Sequence, residues 1–134
     1  MVIDTMVFAY ALLGVTNLRG EAAAALGAVD EVAAPDLVRA ELSNAVTQWI
    51  REEGVDFATG IGVLRDADAL ITRMVPTNVV WERAVELAVR GPHATYDTLF
   101  IAAAELLGTK VLTYDKQMLR RFPQFAILPS AILG

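Results

Sequence analysis

The stretch YDTLFIAAAELLGTKVLTYD (residues 96–115) carries the strongest indication of the fold. Residues 96–107 are apolar and rich in alanine, a composition that favours an α-helix, and Gly108 is a suitable residue to end it. The following run KVLTY (110–114) is short and apolar, as is typical of a strand buried on both faces. This strand stops at a carboxylate, Asp115, where an uncharged residue would turn the chain equally well.

The chain begins in the same way, because MVID (1–4) reads as an apolar strand that ends at Asp4. Further short strands are predicted at EVAA (31–34) and FAILP (125–129), and TRMVPT (72–77) is either a strand or a connector. These runs do not alternate polar and apolar residues, and helical segments separate them along the chain. This order predicts an α/β fold with a mostly parallel sheet.

Helices are predicted over Thr5 to Gly14, 21–29, Asp36 to Glu53, Phe57 to Leu70, Asn78 to Arg90 and Asp115 to Arg121. The segment that begins at Asp36 is the most amphipathic, since Val38, Leu42 and Val46 recur at helical spacing. We expect Asn78 to cap the helix that it begins. The length of 134 residues suits a single domain over residues 1–134.

The composition limits the chemistry that the chain can perform. There is no cysteine and only one histidine, His93, which nearly excludes a zinc site. The net charge of −5 and the pI of about 4.7 argue against a protein whose affinity rests on phosphate contacts alone. Hydrophobic residues make up 55% of the chain, so we expect part of the surface to be covered in an oligomer or by a partner. Catalysis would have to rest on carboxylates.

The location predicted from the sequence is cytoplasmic. No apolar run approaches the roughly 20 residues of a membrane span, so no membrane association is expected. The N-terminus has no basic start and carries Asp4 within its first apolar stretch, which argues against a signal peptide.

Two acids are predicted at one edge of the sheet. Ligands of parallel α/β sheets bind outside the carboxyl ends of the strands, and Asp4 and Asp115 follow two such ends. Either residue alone could simply cap the helix that it precedes. Their occurrence on two apolar strands of one sheet favours a shared crevice.

Two further acids are candidates for the same crevice. Asp97 lies in the first turn of an apolar helix, where it could complement the helix dipole or be a partly buried site residue. Glu41 forms a row with Asn44 and Gln48 along the amphipathic helix, and this row is either a solvated face or a functional one. Glu105 is left out, because it is expected to share a solvated face with Thr98.

Carboxylates that converge need a cation or a proton between them. Two carboxylates about 4 Å apart repel each other by several kcal/mol at an intermediate dielectric. Oxygen ligands without His or Cys select hard ions such as Mg²⁺ or Mn²⁺. A bound ion of this kind activates water and stabilises charge on phosphate oxygens, which points to hydrolysis of a phosphodiester or phosphomonoester.

The ordered segments VIDT (Asp4), LVRAELSNA (Glu41) and YDTLFIAAAELLGTKVLTYD (Asp97 and Asp115) resemble the PIN domain family. Within that family the chain is most similar to the VapC-type ribonuclease toxins of toxin–antitoxin pairs. The resemblance covers essentially the whole chain. It implies a three-layer α/β/α sandwich and a Mg²⁺- or Mn²⁺-dependent endoribonuclease site formed by these four acids.

The resemblance also implies supporting roles for Thr5, Asn44 and Thr113, which occupy polar positions of the family motif. Met6 departs from the motif, because a Ser, Thr or Asn is frequent at this position. A further acid that often follows the fourth one is absent, since Gln117 and Leu119 occupy that neighbourhood.

The partners implied are an RNA substrate, a short antitoxin protein and a second copy of the chain in a homodimer. The basic residues just after the fourth acid, Lys116, Arg120 and Arg121, form either a solvated helix end or an RNA contact, and we expect Lys116 and Arg120 to contact RNA.

Two alternatives stay open. The chain could be a non-catalytic PIN-like interaction module whose acids only cap helices and face solvent. It could also be a small metal-dependent phosphomonoesterase of the haloacid-dehalogenase type, but that class places a second aspartate two residues after the first, where Met6 stands.

Overall fold

The structure is a computed structural model that describes residues 1–14 and 17–134. Its strands are β1 (Val2–Ile3), β2 (Ala33–Pro35), β3 (Arg73–Val75), β4 (Val111–Leu112) and β5 (Ala126–Ile127). Its α-helices are α1 (Thr5–Leu13), α2 (Arg19–Ala28), α3 (Leu37–Glu53), α4 (Phe57–Leu70), α5 (Thr77–Arg90), α6 (Thr95–Leu107) and α7 (Lys116–Arg121). A short 3₁₀ helix at Pro129–Ile132 follows β5.

The strands form one five-stranded sheet in the order β3-β2-β1-β4-β5, and every pair is parallel. β1 is central, with Val2 opposite Ala33 on one side and opposite Val111 on the other. The prediction of an α/β fold with a parallel central sheet is therefore confirmed.

The helices form two groups. Helices α1 to α4 pack on one another, and α5 packs on α6. Crossovers between parallel strands share one hand, and the chain moves outward from β1 in opposite directions for β2–β3 and for β4–β5. The two groups therefore cover opposite faces, which gives the expected three-layer arrangement.

The core explains why the strands are short and apolar. The largest fully buried side chains include Phe8, Phe100, Ile3, Ile101 and Leu112, which come from the central strands and from α1 and α6. In α6 the consecutive alanines 102–104 are also buried. These small side chains allow α6 to lie close against β1, β2 and β4. The first turn of α6 is thereby held near the end of β1.

Two local predictions were wrong. Asn78 does not cap α5, because the helix begins one residue earlier at Thr77 with Pro76 as its N-cap residue. Thr98 is not on a solvated face. It is fully buried, and its hydroxyl donates a hydrogen bond of 2.7 Å to the carbonyl of Ala84 in α5. Glu105, further along α6, is partly exposed.

Among the described residues, no helix combines the length and the apolar character that crossing a membrane would require.

Candidate active site

The sheet brings the first and fourth acids together. Ile3 pairs with Leu112, and the backbone N–H of Asp4 donates to the carbonyl of Leu112 at 3.0 Å. Asp4 and Asp115 therefore leave adjacent strands at the same edge. Together with Glu41 and Asp97 they line one cavity of about 650 Å³.

Asp4 is both a helix cap and a wall of the cavity. Its Oδ1 accepts a hydrogen bond of 2.8 Å from the backbone N–H of Thr5, at the start of α1. Its Oδ2 accepts one of 2.6 Å from the hydroxyl of Thr113. The two interpretations of Asp4 considered from the sequence are thus not exclusive, because one residue caps the helix and faces the cavity.

Asp115 repeats this arrangement at the next strand. Its Oδ1 accepts hydrogen bonds from the backbone N–H groups of Gln117 and Met118, at 2.8 and 3.0 Å, and so caps α7. Its own N–H donates to the hydroxyl oxygen of Thr113 at 3.0 Å. Thr113 is fully buried and therefore links the two acids through one hydroxyl group.

Glu41 reaches the cavity from the side of α3. Its Oε1 accepts a hydrogen bond of 2.7 Å from the hydroxyl of Thr5. Asn44 and Gln48 line the same cavity, so the polar row of α3 faces the site and not open solvent alone. Thr5 joins Glu41 to the turn that holds Asp4.

Asp97 has a partner that sequence reasoning did not find. Its Oδ2 lies 2.9 Å from Nε2 of His93, which precedes α6. His93 stands four residues before Asp97 in the sequence. Contacts between residues four apart are expected only within a helix, and His93 lies in the loop between α5 and α6, so the sequence did not predict this contact. From the sequence alone, no role followed for His93 beyond a place at the rim of the site.

Three of the acids each have one oxygen that makes no hydrogen bond or ion pair within residues 1–14 and 17–134. These oxygens are Oε2 of Glu41, Oδ1 of Asp97 and Oδ2 of Asp115. The second oxygen of each residue is held by a hydroxyl, an imidazole or backbone N–H groups. The carboxylates are therefore oriented by the fold and still have lone pairs available in the cavity.

The surroundings of the cavity disfavour the ionised forms of its carboxyl groups. Burial raises the pKa of Asp4 from 3.8 to about 6, although the hydrogen bonds from Thr113 and Thr5 act in the opposite direction. Burial also raises the pKa values of Glu41 and Asp97. Repulsion adds to each of these pKa shifts, from Asp97 and Glu41 on Asp4, from Asp97 on Glu41, and from Asp115 on Asp97. A cation in the cavity would relieve both effects.

The donor set suits a hard divalent cation. All the convergent groups are carboxylate oxygens, which Mg²⁺ and Mn²⁺ prefer. Within the described part of the chain, no group of three or more His, Cys, Asp or Glu side chains has the geometry to hold a metal ion. An ion at this site would thus take part of its shell from water or a phosphate group, which is the usual mode for Mg²⁺.

Tyrosines form much of the remaining wall. Tyr10, Tyr96 and Tyr114 line the cavity, and the rings of Tyr10 and Tyr114 are 5.3 Å apart. The hydroxyl of Tyr114 donates to Glu21 at 2.9 Å, while Tyr96 is 65% exposed beside Asp97. Met6, the residue that departs from the family motif, also lines the cavity and is partly exposed.

The basic residues after Asp115 lie outside the cavity wall. Lys116 and Arg120 are exposed on α7. Arg121 is engaged elsewhere, because its guanidinium donates to the carbonyls of Gly91 and Pro92 in the loop before α6.

Comparison with known proteins agrees with this fold. The PIN domain family model matches residues 1–124, so the chain belongs to the PIN domain family. A solved toxin–antitoxin complex from Klebsiella pneumoniae contains a chain of the same fold. The TM-score is 0.71 with 18% sequence identity, and the alignment covers 96% of each chain. Comparison with curated protein sequences gave no significant match.

Proposed function

We propose that the protein is a metal-dependent endoribonuclease of the VapC type, the toxin of a toxin–antitoxin pair. The main support is the arrangement of four carboxylates in one cavity, three of which have pKa values raised by burial and by their neighbours. Nuclease activity is general in the PIN domain family, and the chain matches the family over residues 1–124.

The proposed cofactor is Mg²⁺ or Mn²⁺, with Asp4, Glu41, Asp97 and Asp115 as the candidate ligands. Fewer than three of these acids converge closely enough in the metal-free arrangement, so water and substrate phosphate would complete the coordination shell. Such an ion lowers the pKa of bound water and stabilises negative charge on phosphate oxygens. The protein contributes the orientation of these acids, since Thr5 and Thr113 fix Glu41 and Asp4 by hydrogen bonds of 2.7 and 2.6 Å.

The aromatic wall supports RNA as the substrate. Bases of unpaired RNA stack on tyrosine rings, with about 1–3 kcal/mol per base. Tyr96 is well placed for this contact, because it is 65% exposed and directly precedes Asp97. Lys116 and Arg120 are exposed on the helix that follows Asp115 and would supply positive charge to attract RNA, although the net charge of the chain is −5. Asn44 would add a hydrogen-bonding group along α3.

The proposed partners are a cognate antitoxin and a second copy of the chain, in the cytoplasm. The solved Klebsiella pneumoniae structure of the same fold is a toxin–antitoxin complex, which supports an antitoxin partner. The homodimer is supported by exposed apolar side chains at four-residue spacing on α5, namely Trp81, Val85 and Val89. Light scattering at high protein concentration tests this, and a monomer there would contradict the dimer.

The decisive experiment is cleavage of a labelled single-stranded RNA by purified protein. We expect cleavage with Mg²⁺ or Mn²⁺ and none with EDTA. The Asp4→Asn and Asp97→Asn variants should lose at least about 100-fold in rate, which corresponds to roughly 3 kcal/mol of transition-state stabilisation. Asp66→Asn is the matched control, because Asp66 is an exposed acid on α4 outside the cavity.

Undiminished cleavage by both Asp4→Asn and Asp97→Asn would contradict the proposal and indicate a contaminating nuclease. Absence of both cleavage and Mn²⁺ binding in the wild type would favour the non-catalytic interaction module. Faster turnover of a small phosphomonoester than of RNA would favour a phosphatase.

A further inference from the structure

The single histidine lies directly behind one of the four acids. His93 Nε2 and Asp97 Oδ2 are 2.9 Å apart. The side chain of His93 is only 1% exposed, whereas that of Asp97 is 34% exposed. An almost fully buried ring therefore contacts a carboxylate that opens into the cavity.

The surrounding structure fixes the ring of His93. Phe122, at the end of α7, packs edge-on against it, with ring centroids 5.6 Å apart and planes inclined by 79°. Arg121 holds the preceding loop through the carbonyls of Gly91 and Pro92. The imidazole cannot leave its position unless α7 and this loop separate.

The surroundings of the other ring nitrogen, Nδ1, indicate which of the two nitrogens of His93 carries the proton. His93 Nδ1 is buried and has no hydrogen-bond partner among the residues that the structure describes. A proton on Nδ1 would be a buried donor without an acceptor, which destabilises a protein by about 1–3 kcal/mol. The hydrogen-bond network therefore assigns the proton to Nε2, which donates it to Asp97.

A ring that only filled space would be more stable as an apolar side chain without an unpaired nitrogen. The one polar contact of the His93 ring within the described residues is directed at a carboxylate of the site. Asp97 lines the cavity, and its other oxygen, Oδ1, has no hydrogen-bond partner among the described residues.

We propose that His93 is a positioning residue: its Nε2–H holds Asp97 Oδ2, so that Asp97 presents Oδ1 alone to the metal ion. This inference rests on the metal site proposed above. Groups behind a ligand typically change metal affinity by about 10–100-fold when they are removed, because they set the orientation of the ligand.

The test is Mn²⁺ binding by isothermal titration calorimetry, which needs no RNA. His93→Phe keeps a planar ring of similar size and removes the N–H, whereas His93→Gln retains an amide N–H at a similar distance from the backbone. We expect His93→Phe to bind Mn²⁺ about 10–100-fold more weakly and His93→Gln to recover most of that loss. The metal-free melting temperature of His93→Phe should stay close to that of the wild type.

Thr98→Val is the matched control. Thr98 is buried in the same turn of α6, and its substitution removes the hydrogen bond to Ala84 without touching Asp97. We expect a lower melting temperature but unchanged Mn²⁺ affinity. A loss of affinity equal to that of His93→Phe would show that any disturbance of α6 has this effect, and would overturn the proposal.

A double-mutant cycle tests whether His93 affects Mn²⁺ affinity through Asp97. In the Asp97→Asn background, His93→Phe should cause no further loss of Mn²⁺ affinity. An unchanged 10–100-fold loss in that background, or wild-type affinity in His93→Phe, would overturn the positioning role. His93→Leu replaces His93→Phe if the latter does not fold. Wild-type protein that binds no Mn²⁺ would contradict the proposed function itself, which is a distinguishable result.

Discussion

Asp4 shows how one side chain can stabilise the fold and strain it at the same time. Its two oxygens accept hydrogen bonds from Thr5 and Thr113, which favour the charged form. Burial and the neighbouring acids act against that form and prevail, so the pKa of Asp4 rises to about 6. Above that pH the metal-free fold must accommodate a charge that it disfavours.

The stability of the metal-free protein should therefore depend on pH. Between pH 3.8 and about 6, folded Asp4 binds a proton that unfolded Asp4 has released. The free energy of unfolding consequently falls as pH rises through this interval, by at most about 3 kcal/mol from Asp4 alone. The raised pKa values of Glu41 and Asp97 act with the same sign.

Urea unfolding in EDTA at a series of pH values measures this slope. Asp4→Asn cannot titrate and should flatten the curve. Parallel curves for the wild type and Asp4→Asn would show that Asp4 has an ordinary pKa in the folded protein.

For single residues, residue types and spacing predicted the four acids that the structure brings to one cavity. The roles of the individual acids remain predictions. Sequence reasoning could not decide between cap and site for Asp4 and Asp115, because each oxygen of a carboxylate can serve a different purpose. His93 was missed, since its contact with Asp97 depends on how the loop before α6 folds back.

Among the helices, α4 supports the helix that carries Glu41. Gly60 of α4 lies so close to α3 that a Cβ atom there would stand 2.7 Å from Cδ1 of Ile50 and 3.0 Å from Cγ1 of Val46. Gly62, two residues further along the same helix, has no such neighbour within 4 Å. Two glycines of one helix thus differ only in what surrounds them.

Alanine substitutions at these glycines should change stability in opposite directions. Gly60→Ala should destabilise the protein by about 1 kcal/mol, because the terminal methyl of Ile50 must turn away and the buried Val46 leaves little room for the added Cβ. Gly62→Ala should stabilise it by about 0.5–1 kcal/mol through helix propensity. Chemical denaturation measures both, and equal effects of the two substitutions would contradict this account of the helix packing.

The sequence pattern predicted the positions of the helices and strands well, but it predicted their ends less accurately. The prediction of Phe57 to Leu70 for α4 agrees with the structure. The strand predicted at residues 110–114 spans only Val111–Leu112, although the backbone N–H of Thr113 still donates to the carbonyl of Ile127 in β5 at 3.0 Å. An apolar run indicates that a strand exists, but it does not show where the backbone pairing with the neighbouring strands ends.

A bound divalent ion should stabilise the folded state of the whole molecule. An ion that binds only the folded state stabilises it by about 2.7 kcal/mol at a concentration one hundred times its dissociation constant. We expect the melting temperature to rise by several degrees with Mg²⁺, and NaCl of equal ionic strength to have a much smaller effect.

Asp4→Asn and Asp97→Asn should melt at higher temperature than the wild type in EDTA, because repulsion is relieved, and should need a higher Mg²⁺ concentration to gain stability. A wild-type melting temperature that is indifferent to Mg²⁺ would contradict the metal site.

The order of the strands could not be read from the sequence. Short apolar strands between helices indicated a parallel sheet, but no local pattern states that β1 lies between β2 and β4. That arrangement comes from the packing of all the helices at once.

The position of β1 also bears on the timing of biosynthesis. Asp4 is translated before its hydroxyl partner Thr113, which lies 109 positions later in the chain. A chain still lacking β4 has neither Thr113 nor Asp115, so a nascent polypeptide cannot assemble the acidic pocket. The acidic pocket can therefore form only after the whole stretch from Asp4 to Asp115 has been synthesised.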